Sequence, residues 1–475
     1  MLYYTLLTIT SLFLFYWAYN VIYQLYFSPM HNIPGPMIYI LIPNIYKIHI
    51  LMGGFHLHML DLHTKYGKAV RLSSNVVSFA SETASKDIYS TYNFQKHGFY
   101  SAFQIVGEAS FSTRDKDFHR KRKKILSVGF SERNILNLEY LVKNTCEQLK
   151  NKMRHFAERK EAFKLCLYFH CFSFDVIGEV VYGKPFNMIK NGHHPIIDWI
   201  HDLLFLSIVL FLFPFLKHFK YDSIKQLYNF SYDAIKNSKK HADRNTILNN
   251  LIDAVDPETG AKLSRKELAD ESIIQLAAGT DTGSNALIWI FYNLMKNPAI
   301  YRKLKQELIT VFPDKNSIAY TKLKNECAYL SAVLHEGLRF MPVVSGNPMR
   351  ITPKGGKVID GYFIEEETIV GVNLNALHNL STLWEEPDKF NPERWITGDG
   401  KFRSDPNFMP FLIGPRGCVG RTLAWMELYL ATANLVRNFD FYLNDPKLTL
   451  KSKFYVVTSP TKPMEVIVKE NDKLL

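Results

Sequence analysis

Phe411-Leu-Ile-Gly414-Pro-Arg416-Gly417-Cys418-Val-Gly420 is the stretch that most restricts what this chain can become. Small residues flank the cysteine, so backbone N–H groups can approach its sulfur and tune a thiolate as a metal ligand, iron foremost. Arg416, two residues earlier, has the forked geometry that grips a carboxylate with two parallel hydrogen bonds. A lone cysteine in a glycine-rich turn is otherwise a buried free thiol, so the rest of the chain has to decide. A fold that uses this loop must enclose a bulky group beside it. At 475 residues, 47% hydrophobic and 14% aromatic, the chain has the core for that.

The beginning of the chain is of another kind. Met1 to Tyr46 contain no Asp, Glu, Lys or Arg, and Leu2 to Phe27 is mostly Leu, Ile, Phe and Tyr. About 20 apolar residues at 1.5 Å each cross the hydrocarbon layer. A cleaved leader would need a basic start, a shorter apolar core and a small-residue cleavage site, none of which is evident. The first basic residues, Lys47, Lys65, Lys68 and Arg71, all follow the segment, which places the remainder in the cytosol. The alternative is a buried helix. Ile33-Pro34-Gly35-Pro36 then ends any helix. With no linker or repeat further on, we expect an anchor over 1–30 and one catalytic domain over 31–475.

Five cysteines, at 146, 166, 171, 327 and 418, show no paired spacing, which suits a reducing compartment. Cys166 and Cys171 lack the partners of a zinc site and read as packing residues. The net charge of +12 suits an anionic membrane or an acidic partner. Arg120, Lys121, Arg122, Lys123 and Lys124 cluster beside His119, but no zinc-finger, RNP or helix-turn-helix pattern accompanies them, so nucleic acid is not expected.

Helical spacing of apolar residues recurs in Asn134 to Phe156, Phe163 to Tyr182, Lys266 to Lys296 and Pro298 to Leu308. Leu203 to Leu216, broken by Ser207 and Pro214, is too short to span a bilayer comfortably and reads as a buried helix or a membrane-dipping segment. Strands concentrate later, where Lys357 to Ile364 and Glu367 to Val372 suggest a hairpin. The fold class is mainly α with a minor β-sheet region.

Ala278-Gly279-Thr280-Asp281-Thr282 puts polar residues inside the Lys266 to Lys296 pattern. A mid-helix threonine ordinarily back-bonds to the carbonyl four residues earlier. Gly279 weakens the helix, and a hydroxyl can open or bend the ladder and make room for a ligand. Glu336-Gly-Leu-Arg339 sets opposite charges on one helical face, alone a weak signal.

Together these elements resemble the cytochrome P450 superfamily of haem-thiolate monooxygenases. The cysteine loop matches Phe-x-x-Gly-x-Arg-x-Cys-x-Gly at all five fixed positions, and the Ala-Gly-x-Asp-Thr, Glu-x-x-Arg and Phe390-Asn-Pro392-Glu393-Arg394-Trp395 elements occur in the family's order. Phe174-Asp175-Val176-Ile177-Gly178 and Ser112-Thr113-Arg114-Asp115 look most like fungal microsomal members. The resemblance implies a cytochrome P450 fold behind an N-terminal transmembrane helix, in the endoplasmic reticulum membrane. It implies haem b on Cys418, with propionates met by Arg416, His119, Lys123 and Arg350. His119 and Lys123 replace the family's usual Trp-x-x-x-Arg pair, and Arg122 is a possible substitute. Thr282 would hold water and dioxygen, Asp281 would relay protons, and Glu336, Arg339 and Arg394 would form a buried structural network. Where the family usually has Thr or Ser, this chain has Gly283, which puts local helix geometry in doubt.

The same resemblance implies electrons from NADPH through a separate NADPH-cytochrome P450 reductase, with cytochrome b5 as a further partner. Ser101 to Val106, Phe205 to Phe213, Ile274 to Ala278 and Val343 to Asn347 correspond to substrate-recognition segments. Their apolar character implies hydroxylation or other oxidation of a lipophilic molecule, and fungal relatives often act in secondary metabolism. Two other readings stay open: a haem-thiolate isomerase or dehydratase acting on a peroxide, and a haem protein that binds a gas without turnover. The retained Asp281 and Thr282 argue against both.

Overall fold

The apolar pattern ending at Lys296 folds as one 32-residue helix, Arg265–Lys296, which organises everything around it. Its start is explicit in the sequence: Ser264 accepts from the Glu267 N–H and the Glu267 side chain accepts from Ser264, a reciprocal cap. This computed structural model describes residues 1–213, 215–216, 219–238, 246–256 and 258–471. They form two compact units, one of Met1–His97, Ser345–Glu386 and Leu412–Arg416, the other of Gly98–Val344, Pro387–Phe411 and the chain from Gly417 onward.

In the second unit the central helix is walled by others. Helix Leu165–Ile177 lies against it so closely that a Cβ on Gly279 would come within 2.4 Å of Ile177 Cδ1. Phe169 and Phe291 meet across this interface with ring centroids 4.9 Å apart. Helix Ala328–Phe340 is equally close on another side, where a Cβ on Gly337 would stand 2.4 Å from Ile290 Cγ1. Helix Arg421–Asn438 follows the cysteine loop, and its residues from Met426 to Asn438 are all buried. A three-stranded sheet pairs Glu465–Glu470 with Phe163–Lys164 and Phe439–Leu443, all antiparallel.

The first unit carries a five-stranded sheet in the order Ala69–Ser73, Val76–Phe79, Ile369–Val372, Arg350–Ile351, Gln95–Lys96. Leu2–Ile22 is a helix continued by a π turn over Tyr23–Phe27, with no buried residue, and is long and apolar enough to cross a membrane. Pro34-Gly35-Pro36 breaks regular structure as expected. A Cβ on Gly35 would lie 2.2 Å from the Arg71 carbonyl oxygen, so glycine is needed there for the chain to pass the sheet. The buried Arg71 guanidinium donates to the carbonyls of Gln24 at 2.9 Å, Ser74 at 3.2 Å and Met30 at 3.3 Å, tying the end of the apolar helix to the first strand.

Several expectations need correcting. The hairpin is made within Lys357–Ile364 alone, Lys357–Ile359 against Tyr362–Ile364, while Ile369–Val372 runs parallel to Val76–Phe79. Strands do concentrate in the later chain, but the partner of Ile369–Val372 lies nearly 300 residues earlier. The Asn134 to Phe156 pattern is two helices, Glu132–Asn137 and Glu139–Arg159, broken at Leu138. Phe163 and Lys164 belong to a strand, since Leu165 begins the next helix. The stretch beginning at Leu203 lies in helix Ile196–Leu212, which buries Leu203, Ser207 and Leu210 while Phe205 stays exposed; Pro214 lies outside the described residues.

Candidate functional site

The cysteine loop owes its shape to backbone torsions that most residues avoid. Leu412 and Gly414 both have positive φ, 57° and 74°. A Cβ at Gly414 would fall 2.0 Å from the Tyr89 carbonyl oxygen, so only glycine fits. The Cys418 N–H donates to the Phe411 carbonyl at 2.9 Å, closing the loop on itself. Gly420 then starts helix Arg421–Asn438 and brings its backbone N–H to the sulfur.

The Cys418 side chain is exposed, yet desolvation pushes its thiol pKa up. Accessible surface together with desolvation describes a sulfur facing a recess walled by protein. The Gly420 N–H, then the charges of Lys123 and Arg421, pull the other way and favour the thiolate. Lys123 Nζ donates to the Gly417 carbonyl at 3.4 Å. It sits on the basic helix Lys116–Gly129, begun by Asp115, whose side chain accepts from the Asp117 and Phe118 N–H groups. His119, on the same helix, is buried.

An aromatic cage braces the loop. His335 stacks on Trp425 at 4.5 Å and meets Phe402 at 4.4 Å and Phe408 at 5.1 Å, while Trp425 reaches Phe411 at 5.6 Å. Burial drives the His335 pKa down to about 4, so the ring is neutral and its Nδ1–H donates to the Ser331 carbonyl at 2.7 Å.

A second candidate element is an opening in the central helix. From Leu268 to Phe291 every residue is buried except Ala278, Gly279 and Thr282. Ala278 is exposed and Thr282 half-buried, and four residues apart they share one face. Thr282 Oγ1 donates to the Ala278 carbonyl at 2.8 Å, the ordinary back-bond of a mid-helix threonine. The helix is unbroken here, so the opening comes from small side chains and not from a bent ladder. Asp281 is buried, and its Oδ1 has no partner among the described residues. Elsewhere, Phe99, Phe103 and Phe111 pack edge-to-face, and Phe99 reaches Phe211 at 5.3 Å, joining the Gly98–Val106 segment to helix Ile196–Leu212.

Glu336 and Arg339 are brought together without solvent, and Arg394 joins them from a partly exposed position. Glu336 accepts from Arg339 Nε and Nη2, both at 2.8 Å, from the Trp395 indole at 2.9 Å and from the Asn391 N–H at 2.8 Å, with Arg394 Nε 3.2 Å away. Trp395 and Asn391 are members the sequence did not single out, although both lie in the Phe390-to-Trp395 run.

Arg350 and Arg416 belong to the other unit. Arg350 is buried, donates from Nη1 to the Met349 carbonyl at 3.0 Å and lies over the Tyr89 ring. Arg416 is half-buried, 5.5 Å from the Tyr92 ring centroid. Arg122 is not a substitute for the missing family arginine. Its Nη2 lies 2.6 Å from Glu267 and its Nε 3.6 Å from Glu271, which turns it toward the start of the central helix. Glu271 itself carries no signal in the motifs. It is fully buried, accepts from the Ser110 N–H at 2.7 Å and hydroxyl at 2.9 Å, and burial lifts its pKa to about 7.

These residues fit a haem. An exposed sulfur with N–H and cationic neighbours suits a thiolate ligand, and small residues amid a buried helix leave space for a flat group and its guest. A family model described as Cytochrome P450 matches residues 33–468. The chain is 31% identical to the cytochrome P450 monooxygenase traB of Penicillium crustosum, over 96% of this chain and 95% of that protein. It is 30% identical to efuB of Hormonema carpetanum over 93% of each. To atnE of Emericella nidulans it is 30% identical over 88% of this chain and 87% of the relative, which is also a cytochrome P450 monooxygenase. A match that runs through nearly the whole fold, the cysteine loop and the opened helix included, makes this chain a monooxygenase of the cytochrome P450 family.

Proposed function

We propose that the chain is a membrane-anchored monooxygenase in which Cys418 carries haem b and the central helix presents the lipophilic substrate and dioxygen to it. The supporting observation is the break in burial at Ala278 and Thr282, the one opening between Leu268 and Phe291. Haem, when bound, supplies the oxidising chemistry that inserts an oxygen atom into a C–H bond. The protein's share falls to named residues. Lys123 and His119 on the basic helix, with Arg416 and Arg350, meet the propionates. Thr282 holds a water at the opening, and Asp281, whose Oδ1 is unpartnered, passes protons to it. Phe99, Phe103, Phe111 and Phe211 exclude water and select an apolar substrate. The Glu336, Arg339 and Arg394 network holds the structure behind the cysteine loop.

Leu2–Phe27 forms the anchor within residues 1–30, and residues 31–475 form the catalytic domain in the cytosol at the endoplasmic reticulum membrane. Arg120, Lys121 and Lys124 are exposed on the basic helix and suit the acidic face of an NADPH-cytochrome P450 reductase or cytochrome b5.

The test is expression in membranes with reductase. The reduced protein under carbon monoxide should show the absorbance of thiolate-bound haem, and NADPH should support substrate oxidation found by untargeted metabolite profiling. A Cys418→Ser protein that kept the same absorbance would refute the ligand assignment. Peroxide rearrangement without NADPH would instead make the chain an isomerase or dehydratase, and gas binding without turnover would make it a sensor.

A further inference from the structure

The consecutive basic residues Arg120 to Lys124 share one helix, and only Arg122 among them is withdrawn from water. Arg122 is 4% exposed, while Arg120, Lys121 and Lys124 are exposed and Lys123 is half-buried. Side chains on a helix turn by about 100° per residue, so the direction taken by Arg122 fixes where the next residue points. The face that carries Arg122 also holds His119, Ile125, Leu126 and Gly129, all buried.

An arginine buried in this way needs acceptors, and two acids at the start of the central helix supply them. Glu267 lies 2.6 Å from Arg122 Nη2, but its side chain is 39% exposed. Glu271 is 0% exposed, and its Oε1 lies 3.6 Å from Arg122 Nε. The same Oε1 accepts from the Ser110 N–H at 2.7 Å, and Oε2 accepts from the Ser110 hydroxyl at 2.9 Å. Ser110 lies on the chain leading to the Asp115 cap of the basic helix. One buried carboxyl group therefore holds both the approach to this helix and its inward face. Lys123, the residue after Arg122, donates to the Gly417 carbonyl, next to Cys418.

We propose that Glu271 is a positioning residue for Lys123: by docking Arg122 and Ser110 on the central helix, it sets the rotation of the basic helix that turns Lys123 toward the cysteine loop. Without this carboxyl, Arg122 keeps only the partly exposed Glu267, Ser110 loses both of its bonds to the central helix, and the basic helix is held less firmly against rolling. The Lys123 ammonium then leaves the Gly417 carbonyl, and its hold on a haem carboxylate weakens. The effect on haem rests on the monooxygenase reading, in which Lys123 meets a propionate; the docking of the helix does not.

The experiment is a double-mutant cycle on the full-length haem-loaded protein, read as the rate of haem transfer to an apo-globin acceptor. Glu271→Ala should speed haem loss several-fold, and Glu271→Gln should recover it, because the amide oxygen can still take the place of Oε1 between Ser110 and Arg122. In the Lys123→Met background, Glu271→Ala should add nothing further. Effects that multiply would show that Glu271 acts through general stability, and the proposal would be wrong. Hydrogen exchange gives a readout that needs no haem chemistry. Peptides covering Lys116–Gly129 and Phe411–Gly420 should exchange several-fold faster in Glu271→Ala and at the wild-type rate in Glu271→Gln, with helix Ala328–Phe340 unchanged. If Glu271→Ala does not fold, Arg122→Leu enters the same cycle with the same expectation. A Lys123→Met protein that loses haem no faster than wild type would count against the cofactor reading of the basic helix. The exchange rates would still decide whether Glu271 positions that helix, and unchanged exchange in both segments would overturn the proposal.

Discussion

Glu336 and Arg339, three residues apart on one helix, are joined by two hydrogen bonds of 2.8 Å with neither side chain exposed. On a solvated helix such a pair contributes a few tenths of a kcal/mol. Here Arg339 also donates to the Pro387 carbonyl at 3.0 Å, so one guanidinium ties the helix to the segment before the cysteine loop. Removing it by Arg339→Leu should destabilise the protein by about 3–5 kcal/mol, because Glu336 is left buried without its principal partner. Chemical denaturation measures this, and a loss under about 1 kcal/mol would contradict it. Arg339→Lys should recover only part, since lysine lacks the fork.

Glu271 makes stability depend on pH. Its pKa rises from the ordinary 4.5 to about 7, chiefly through burial and slightly through Asp270, while Arg122 and Ser110 oppose the rise. A raised carboxyl pKa means that the folded protein binds a proton the unfolded chain has released. The contribution is therefore complete below about 4.5 and is lost as pH climbs through about 7. Glu271→Gln should flatten the stability profile across that window. An unchanged slope in denaturation curves would show that Glu271 is already ionised at lower pH.

Thr282→Ala should leave the fold almost untouched, because the only hydrogen bond shown for its hydroxyl is the local back-bond to Ala278. Stability should change by less than about 1 kcal/mol. NADPH should still be consumed while product falls and hydrogen peroxide rises. Stoichiometry of NADPH, product and peroxide is the readout, and coupled turnover at the wild-type level would remove Thr282 from the mechanism.

Lys123 reaches the cysteine loop through the Gly417 carbonyl and adds positive charge near the sulfur. Lys123→Met should speed haem loss several-fold, followed by transfer to an apo-globin acceptor, whereas Lys123→Arg should hold haem as well as wild type. Equal loss rates in all three proteins would show that the basic helix does not hold the cofactor.

Local chemistry is legible in the order of residues. The central helix begins at the Ser264 and Glu267 cap and ends at Lys296, as its apolar spacing implies. The break at Pro34-Gly35-Pro36 follows from what proline and glycine permit at the backbone. The Val76–Phe79 pairing with Ile369–Val372 is not legible, because a strand of four residues carries no record of its partner. Nor is the role of Arg122: in a run of five basic residues nothing distinguishes the one turned inward. Glu427 does leave a trace, a carboxylate among Trp425, Met426, Leu428 and Leu430, which is costly to bury without a purpose.

What the sequence determined by itself is the chemistry within reach of one stretch of chain: the apolar helix at the start, the cysteine among small residues, the threonine inside a helix, and the charge pair at a spacing of three. Only the tertiary structure decided which of these lost their water. Burial turns an ordinary ion pair at Glu336 into a lock, lifts Glu271 toward neutrality and raises the Glu427 carboxyl well above the usual carboxylate range. Desolvation depends on helices brought together from distant parts of the chain, and no local spacing encodes that meeting.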